Sequence, residues 1–130
     1  MCGIDLGGLI FLGKILLVED NSMNRELVKD ILETFDCDVV GVEDGFKALS
    51  LIEKNEFDLI LIDINLPKMN GVELAQKIRN SGYKYGKLVA LTANECTLSG
   101  QRFQDVGFDG HIQKPFQIND FRKKVEKYLS

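Results

Sequence analysis

From Lys14 onward the chain repeats one pattern five times, a short aliphatic run followed by a longer segment whose apolar residues recur at helical spacing. The runs are ILLVE (15–19), DVVGV (38–42), DLILID (58–63), KLVALT (87–92) and GHIQ (110–113). Three are nearly continuous in Val, Ile and Leu, the pattern of strands covered on both faces, as in a parallel sheet. GHIQ is short and polar, which predicts an edge strand. Between the runs, Leu27, Val28, Ile31, Leu32 and Phe35 make one apolar helical stripe; so do Ala48, Leu49 and Ile52, then Leu74, Ala75 and Ile78, and finally Ile118, Phe121, Val125 and Leu129. The segment from Cys96 to Val106 is the weakest helix former, since Thr97, Ser99 and Gly100 have poor propensity and a Gly costs about 1 kcal/mol relative to Ala. Switch elements are drawn from the least stable parts of a domain, which makes this segment a candidate for one.

Alternating strands and helices of these lengths predict a doubly wound α/β domain, a five-stranded parallel sheet of (βα)5 type with right-handed crossovers. The expected strand order is flavodoxin-like, 2-1-3-4-5, which places a ligand site beyond the carboxyl ends of the strands, between strands one and three. With 130 residues, 45% of them hydrophobic, the chain suits one compact core, assigned to residues 14–130. Residues 1–13, MCGIDLGGLIFLG, are an N-terminal extension: they lack a basic leader and fall short of the ~20 apolar residues that span a bilayer. A cloning remnant, a linker remnant of a longer protein and a segment packed on the domain edge all fit them.

Polar residues gather where the apolar runs stop. Strand one ends in Glu19, Asp20 and Asn21, strand three in Asp63, strand four in Thr92, and strand five runs into Lys114 and Pro115. Taken singly, each reads as a turn former or helix cap. Taken together, four strands deliver three carboxylates, a hydroxyl and an ammonium to one rim, which turn formation does not require. Three adjacent carboxylates repel unless a cation compensates them. An oxygen-only donor set without Cys or His favours Mg²⁺ over zinc. The metal, Lys114 and the Thr92 hydroxyl then supply what a phosphoryl group needs.

The segments KILLVEDN (14–21), LILIDINLPKMNG (59–71), LTA (91–93) and KPF (114–116) resemble the receiver domains of two-component response regulators, over residues 14–130. The resemblance implies that Asp63 takes a phosphoryl group from a phosphohistidine on a histidine kinase or histidine phosphotransfer protein. It implies Mg²⁺ held by the side chains of Asp20 and Asp63 and the backbone carbonyl of Asn65, with Glu19 acting through water. Lys114 would hold a phosphoryl oxygen, and Thr92 would swing toward the phosphate. A ring three residues before the lysine would then turn inward and alter the face built by the fourth helical segment, the fifth strand and the fifth helix, for an output partner that the sequence does not identify. That ring, usually Tyr or Phe, is here His111, which either fills the strand edge or makes the switch sensitive to pH near neutrality. The family also carries a cis peptide at the place of Lys114–Pro115, where X-Pro bonds favour trans by only ~1 kcal/mol. Asn65 and Asn94 stand where the family tunes loss of the phosphoryl group to water, and neither is a strong base. An Asn94→Lys variant is expected to change the lifetime of the acyl phosphate, measured by its decay after the donor is removed.

Other classes fit less well. A net charge of -4 and a pI near 5.0, with scattered cations, exclude a nucleic-acid surface. Cys2, Cys37 and Cys96 form neither an even set nor a CxxC pair, so a reducing cytoplasm is expected and a disulfide framework is not. Residues 8–14, GLIFLGK, match the start of a phosphate-binding loop, but Ile15 stands where Ser or Thr must hold Mg²⁺. An aspartyl phosphatase needs an acid two residues after its nucleophile, and position 65 is Asn. A flavodoxin-type electron carrier needs a first loop that cradles phosphate, and this one is acidic. The expectation is therefore a signalling phosphoacceptor rather than an enzyme, monomeric or dimeric on phosphorylation. It is either a regulator in its own right, with no output domain after the last helix, or a relay fragment of a hybrid histidine kinase. Met23, Asn24, Leu66, Pro67 and Pro115 are expected to meet the donor, and His111 with Phe108 the output partner.

Overall fold

A computed structural model describes residues 4–6, 9–11, 13–93, 103–114 and 117–129. The five aliphatic runs become the strands β3 (Gly13–Val18), β4 (Cys37–Val42), β5 (Leu59–Asp63), β6 (Lys87–Thr92) and β7 (Gly110–Gln113), all parallel, in the spatial order β4-β3-β5-β6-β7. That is the expected 2-1-3-4-5 winding, with β7 at the edge. Among the described residues four α-helices connect or close them: α1 (Ser22–Glu33), α2 (Gly45–Ile52), α3 (Gly71–Asn80) and α4 (Ile118–Leu129). Before the sheet, β1 (Ile4–Leu6) and β2 (Leu9–Phe11) pair antiparallel, Leu6 opposite Leu9, so part of the N-terminal extension is a short hairpin. None of the described helices is long and apolar enough to cross a membrane.

The strand period of two sorts the core into two layers. Ile15, Leu17, Leu59, Leu61, Val89 and Leu91 pack against α1 and α4, where they meet Val28, Leu32, Phe121 and Val125. Leu16, Val18, Ile60, Ile62, Leu88 and Ala90 face the other way, onto α2 and α3 with Ala48, Leu74, Ala75 and Ile78. Residues 15–18 and 59–62 are fully buried, which explains their lack of alternation. Two members of the expected stripes lie outside the core: Leu27 is 59% and Ile118 58% exposed. A helix advances 100° per residue, so Leu27 sits on the flank of the Val28–Leu32 line. Ile118 opens α4 one turn before Phe121, where burial begins.

Helix entry is set by side chains that satisfy otherwise orphaned N–H groups. Asn21 accepts from Asn24 N, Asp44 from Lys47 N and Asn70 from Glu73 N, each at 2.9 Å. The expected helical segment from Cys96 to Val106 lies mostly outside the described residues; its described end, Gln104–Val106, is a 3-10 turn closed by Gly107 at φ 108°.

Gly71 fixes how closely α3 approaches the end of β5. Its N–H donates to the Ile64 carbonyl at 2.9 Å, and a Cβ there would stand 2.5 Å from the Asp63 carbonyl oxygen and 2.8 Å from the Ile64 Cα. Both obstacles are backbone, so relief requires α3 and the Asp63 loop to separate. Gly71→Ala is expected to cost about 2–3 kcal/mol in chemical denaturation, the range of overpacked sites.

Candidate functional site

The carboxyl edge of the sheet brings Glu19, Asp20 and Asp63 together: one oxygen from each lies within 4.8 Å of the others. The backbone explains the placement. β3 ends at Val18, and Glu19 N donates to the Val42 carbonyl at 3.0 Å, while Arg25 Nη1 from α1 donates to the Glu19 carbonyl at 2.9 Å. Asn21 is taken up as the α1 cap, so of the acidic tripeptide only Glu19 and Asp20 face the cluster. Asp63 is the last residue of β5, and Ile64 N continues the ladder to the Leu91 carbonyl at 3.1 Å.

Burial separates the roles of the three carboxylates. Glu19 is 2% and Asp63 7% exposed, whereas Asp20 is exposed. Asp63 Oδ1 accepts from Asn65 N at 2.9 Å and Oδ2 from Lys114 Nζ at 3.2 Å. Lys114 Nζ also stands 3.8 Å from Glu19 Oε1, but neither Glu19 side-chain oxygen accepts a hydrogen bond from the described residues. Burial pushes the Glu19 carboxyl up to about 7; the neighbouring Asp63 adds to the rise and Lys114 opposes it. Burial acts on Asp63 in the same sense, but the Glu19 carboxyl, the Asn65 N–H and Lys114 outweigh it and hold Asp63 below the usual carboxylate range. Of the buried pair, Asp63 is therefore the carboxyl that ionises first.

Thr92 ends β6 and is 1% exposed; Lys114 N donates to its carbonyl at 2.7 Å, joining the two site residues through backbone. Asn65 is exposed beside Asp63, and Asn94, Pro115 and the Lys114–Pro115 peptide fall outside or at the limit of the described residues. His111 lies half-buried on β7, its ring stacked on Phe103 with centroids 4.4 Å apart and planes at 17°. Sequence reasoning missed Phe103, because its partnership with a residue eight positions away across a turn leaves no periodic signal. Two expected contact residues are corrected: Leu66 is 7% and Phe108 2% exposed, so both belong to the core beneath α3 and not to a docking surface. Met23, at 81% exposure, remains available on α1.

The two buried Glu19 oxygens, the Asp63 carboxylate beside them and the exposed Asp20 make an oxygen-only donor set that suits a hard divalent cation. Lys114 is the cation paired with the two buried carboxylates, and three carboxylates this close are costly without further positive charge.

Residues 15–126 match the family model described as response regulator receiver domain. The sensor histidine kinase RcsC of Salmonella typhi is 33% identical over 114 residues, covering 88% of this chain and 12% of that protein. The polar-differentiation response regulator DivK of Brucella anthropi is 28% identical over 116 residues, covering 88% of this chain and 94% of that one. The chain spans about a tenth of the histidine kinases that it matches, 7% and 12% in two cases. Among solved structures, the chemotaxis protein CheY4 of Vibrio cholerae superposes with a TM-score of 0.81 at 31% identity, over 88% of this chain and 97% of that one. The receiver domain of the sensor histidine kinase PA1611 of Pseudomonas aeruginosa, which has a magnesium ion coordinated in its active-site cleft, gives a TM-score of 0.81 at 28% identity, over 90% and 97%.

Proposed function

The chain belongs to the response regulator receiver family, and on that premise we propose that it accepts a phosphoryl group on Asp63 from a phosphohistidine of a histidine kinase or histidine phosphotransfer protein. The observation that carries the proposal is the ionised, nearly buried Asp63 carboxylate with Lys114 Nζ at 3.2 Å and two further carboxylates beside it. In the transfer, an Asp63 oxygen forms a bond to phosphorus as the bond from phosphorus to the imidazole nitrogen breaks, and the imidazole leaves. Lys114 is placed to follow the charge from the carboxylate to a phosphoryl oxygen. Thr92 offers a hydroxyl from the neighbouring strand end, and Asn65 N–H keeps the second Asp63 oxygen oriented. Asp20, Asp63, the Asn65 carbonyl and Glu19 through water would hold Mg²⁺, which when bound offsets the charge that three carboxylates and a phosphoryl group bring together.

The role is signalling and not turnover of a metabolite. The occupied acceptor would change the face formed by residues 103–113 and α4, which a protein partner reads. A regulator acting alone and a relay segment of a larger kinase both fit, since relatives of each kind align over 88% of this chain. A cytoplasmic, magnesium-bearing phosphoprotein is the consistent picture.

The test is incubation with acetyl phosphate followed by intact mass measurement. One phosphoryl group is expected in the presence of Mg²⁺ and none when EDTA removes it. Equal labelling with and without the metal overturns the role given to the acidic cluster.

A further inference from the structure

α1 and α4 cover the same side of the sheet: Val28 and Leu32 share one core layer with Phe121 and Val125, and the Arg122 guanidinium lies 5.5 Å from the centre of the Phe35 ring, just past the end of α1. Among the described residues five large apolar side chains are exposed, and three of them stand on these two helices, Met23 at 81%, Leu27 at 59% and Ile118 at 58%. Beside Leu27 the surface opens into a recess of about 280 Å³, lined by Leu27, Ile31 and Leu91 and reaching Lys114, shortly before α4 begins. The charges that flank this apolar strip differ in sign. On α1, Glu26 and Asp30 each stand two residues from the buried Val28, about 200° round the helix, with Glu33 beyond them. On α4, Lys123 and Lys127 stand likewise about the buried Val125, with Arg122 and Lys124 beside them. Lys29 on α1 and Asp120 on α4 reduce each charge without reversing it. The ion pairs among the described residues leave Glu26, Asp30, Lys123 and Lys127 unused.

We propose that this face pairs with the same face of a second copy of the chain, in a symmetric dimer that forms without a phosphoryl group. A two-fold axis along the strip between the helices sets α1 of each copy on α4 of the other, running in the same direction. Both charged pairs are spaced four residues apart, about 6 Å along a helix axis, so Glu26 and Asp30 of one copy match Lys123 and Lys127 of the other. Symmetry repeats that attraction on the far side of the axis. Met23, Leu27 and Ile118 are covered between the two sets of charges, where exclusion of water strengthens them. Setting α1 on α1 instead would bring like charges together. The bipolar surface also decides the occupant. A uniformly acidic partner would be repelled by α1 and a uniformly basic one by α4, whereas a second copy meets the opposite sign on both helices.

Sedimentation equilibrium of the full chain at low ionic strength, with no phosphoryl donor present, tests the pairing. Wild type is expected to pass from one chain mass to two between about 1 and 200 µM, the range of a small polar interface, and to dissociate as salt is raised. Glu26→Lys with Asp30→Lys, and separately Lys123→Glu with Lys127→Glu, are each expected to weaken self-association about tenfold or more. An equimolar mixture of the two reversed proteins should pair again, because both contacts then regain opposite signs. Leu27→Gln leaves every charge in place and should weaken pairing about threefold, through the apolar strip alone. All five positions are exposed, so the variants should keep the wild-type fold, checked by circular dichroism. One chain mass throughout the range, self-association that ignores both charge reversals, or reversed proteins that fail to pair when mixed each overturns the dimer.

Discussion

Asp63→Asn is expected to take up no phosphoryl group from acetyl phosphate, or from any histidine-bearing donor, under conditions that load the wild type. The reason is the division of protons within the buried pair. Transfer needs an oxygen lone pair on an ionised carboxylate. Asp63 is the carboxylate held below the usual range, while burial pushes Glu19 up to about 7. Asp20 is ionisable but exposed, and neither Lys114 nor the Asn65 N–H is bonded to it, so it is not set up to take over. The amide keeps the shape of the side chain and can still accept from Asn65 N. What it loses is the ion pair with Lys114, whose side chain is 26% exposed and so keeps solvent contact when the pair is broken. Relief of repulsion with Glu19 offsets part of that. The variant should therefore melt close to wild type, so that absent labelling reports chemistry and not unfolding. Mass addition that persists in a folded Asp63→Asn protein assigns the acceptor to another residue and refutes the proposal.

How much of this was legible beforehand depends on whether a feature is periodic. Strands β3, β5 and β6 announce themselves because both faces are buried, so their runs are continuous in aliphatic residues and end abruptly at Glu19, Asp63 and Thr92. The cluster follows from topology: once parallel winding is granted, the strand ends must share one rim. Features made by tertiary contact were not legible. Leu27 and Ile118 obey helical spacing yet face solvent, because spacing fixes a stripe but not its width. The Phe103–His111 stack joins two residues across a turn whose Gly107 takes a left-handed conformation, and no pattern marks it. Leu66 and Phe108 read as accessible apolar contacts near the site, but each is drawn into the core that α3 covers. Gly7 and Gly8 between the triplets IDL and LIF are a hairpin signal that a largely apolar extension obscured.

Glu19→Gln is expected to stabilise the metal-free protein at pH 8 and to weaken its response to Mg²⁺. Glu19 is 2% exposed, and its oxygens accept no hydrogen bond among the described residues, so its charged form is the costly one. A carboxyl with an ordinary value of 4.5 in the unfolded chain and about 7 in the fold binds its proton more tightly when folded. Its contribution to stability is complete below pH 4.5 and is lost as pH rises through 7, a change of order 3 kcal/mol. Asp63, held in the opposite direction, acts only below its ordinary value of 3.8, so the window from about pH 5 to 8 belongs to Glu19. Glutamine has no proton to lose there. Urea unfolding across that window, without metal, should show wild-type stability falling with pH while the variant stays nearly level. Millimolar Mg²⁺ should then restore the wild type at pH 8, because a ligand that binds only the folded state stabilises it in proportion to the logarithm of its saturation, and should restore the variant less. Parallel pH curves for the two proteins would show that the cluster carries no such strain. Equal Mg²⁺ responses would show that Glu19 does not take part in holding the ion.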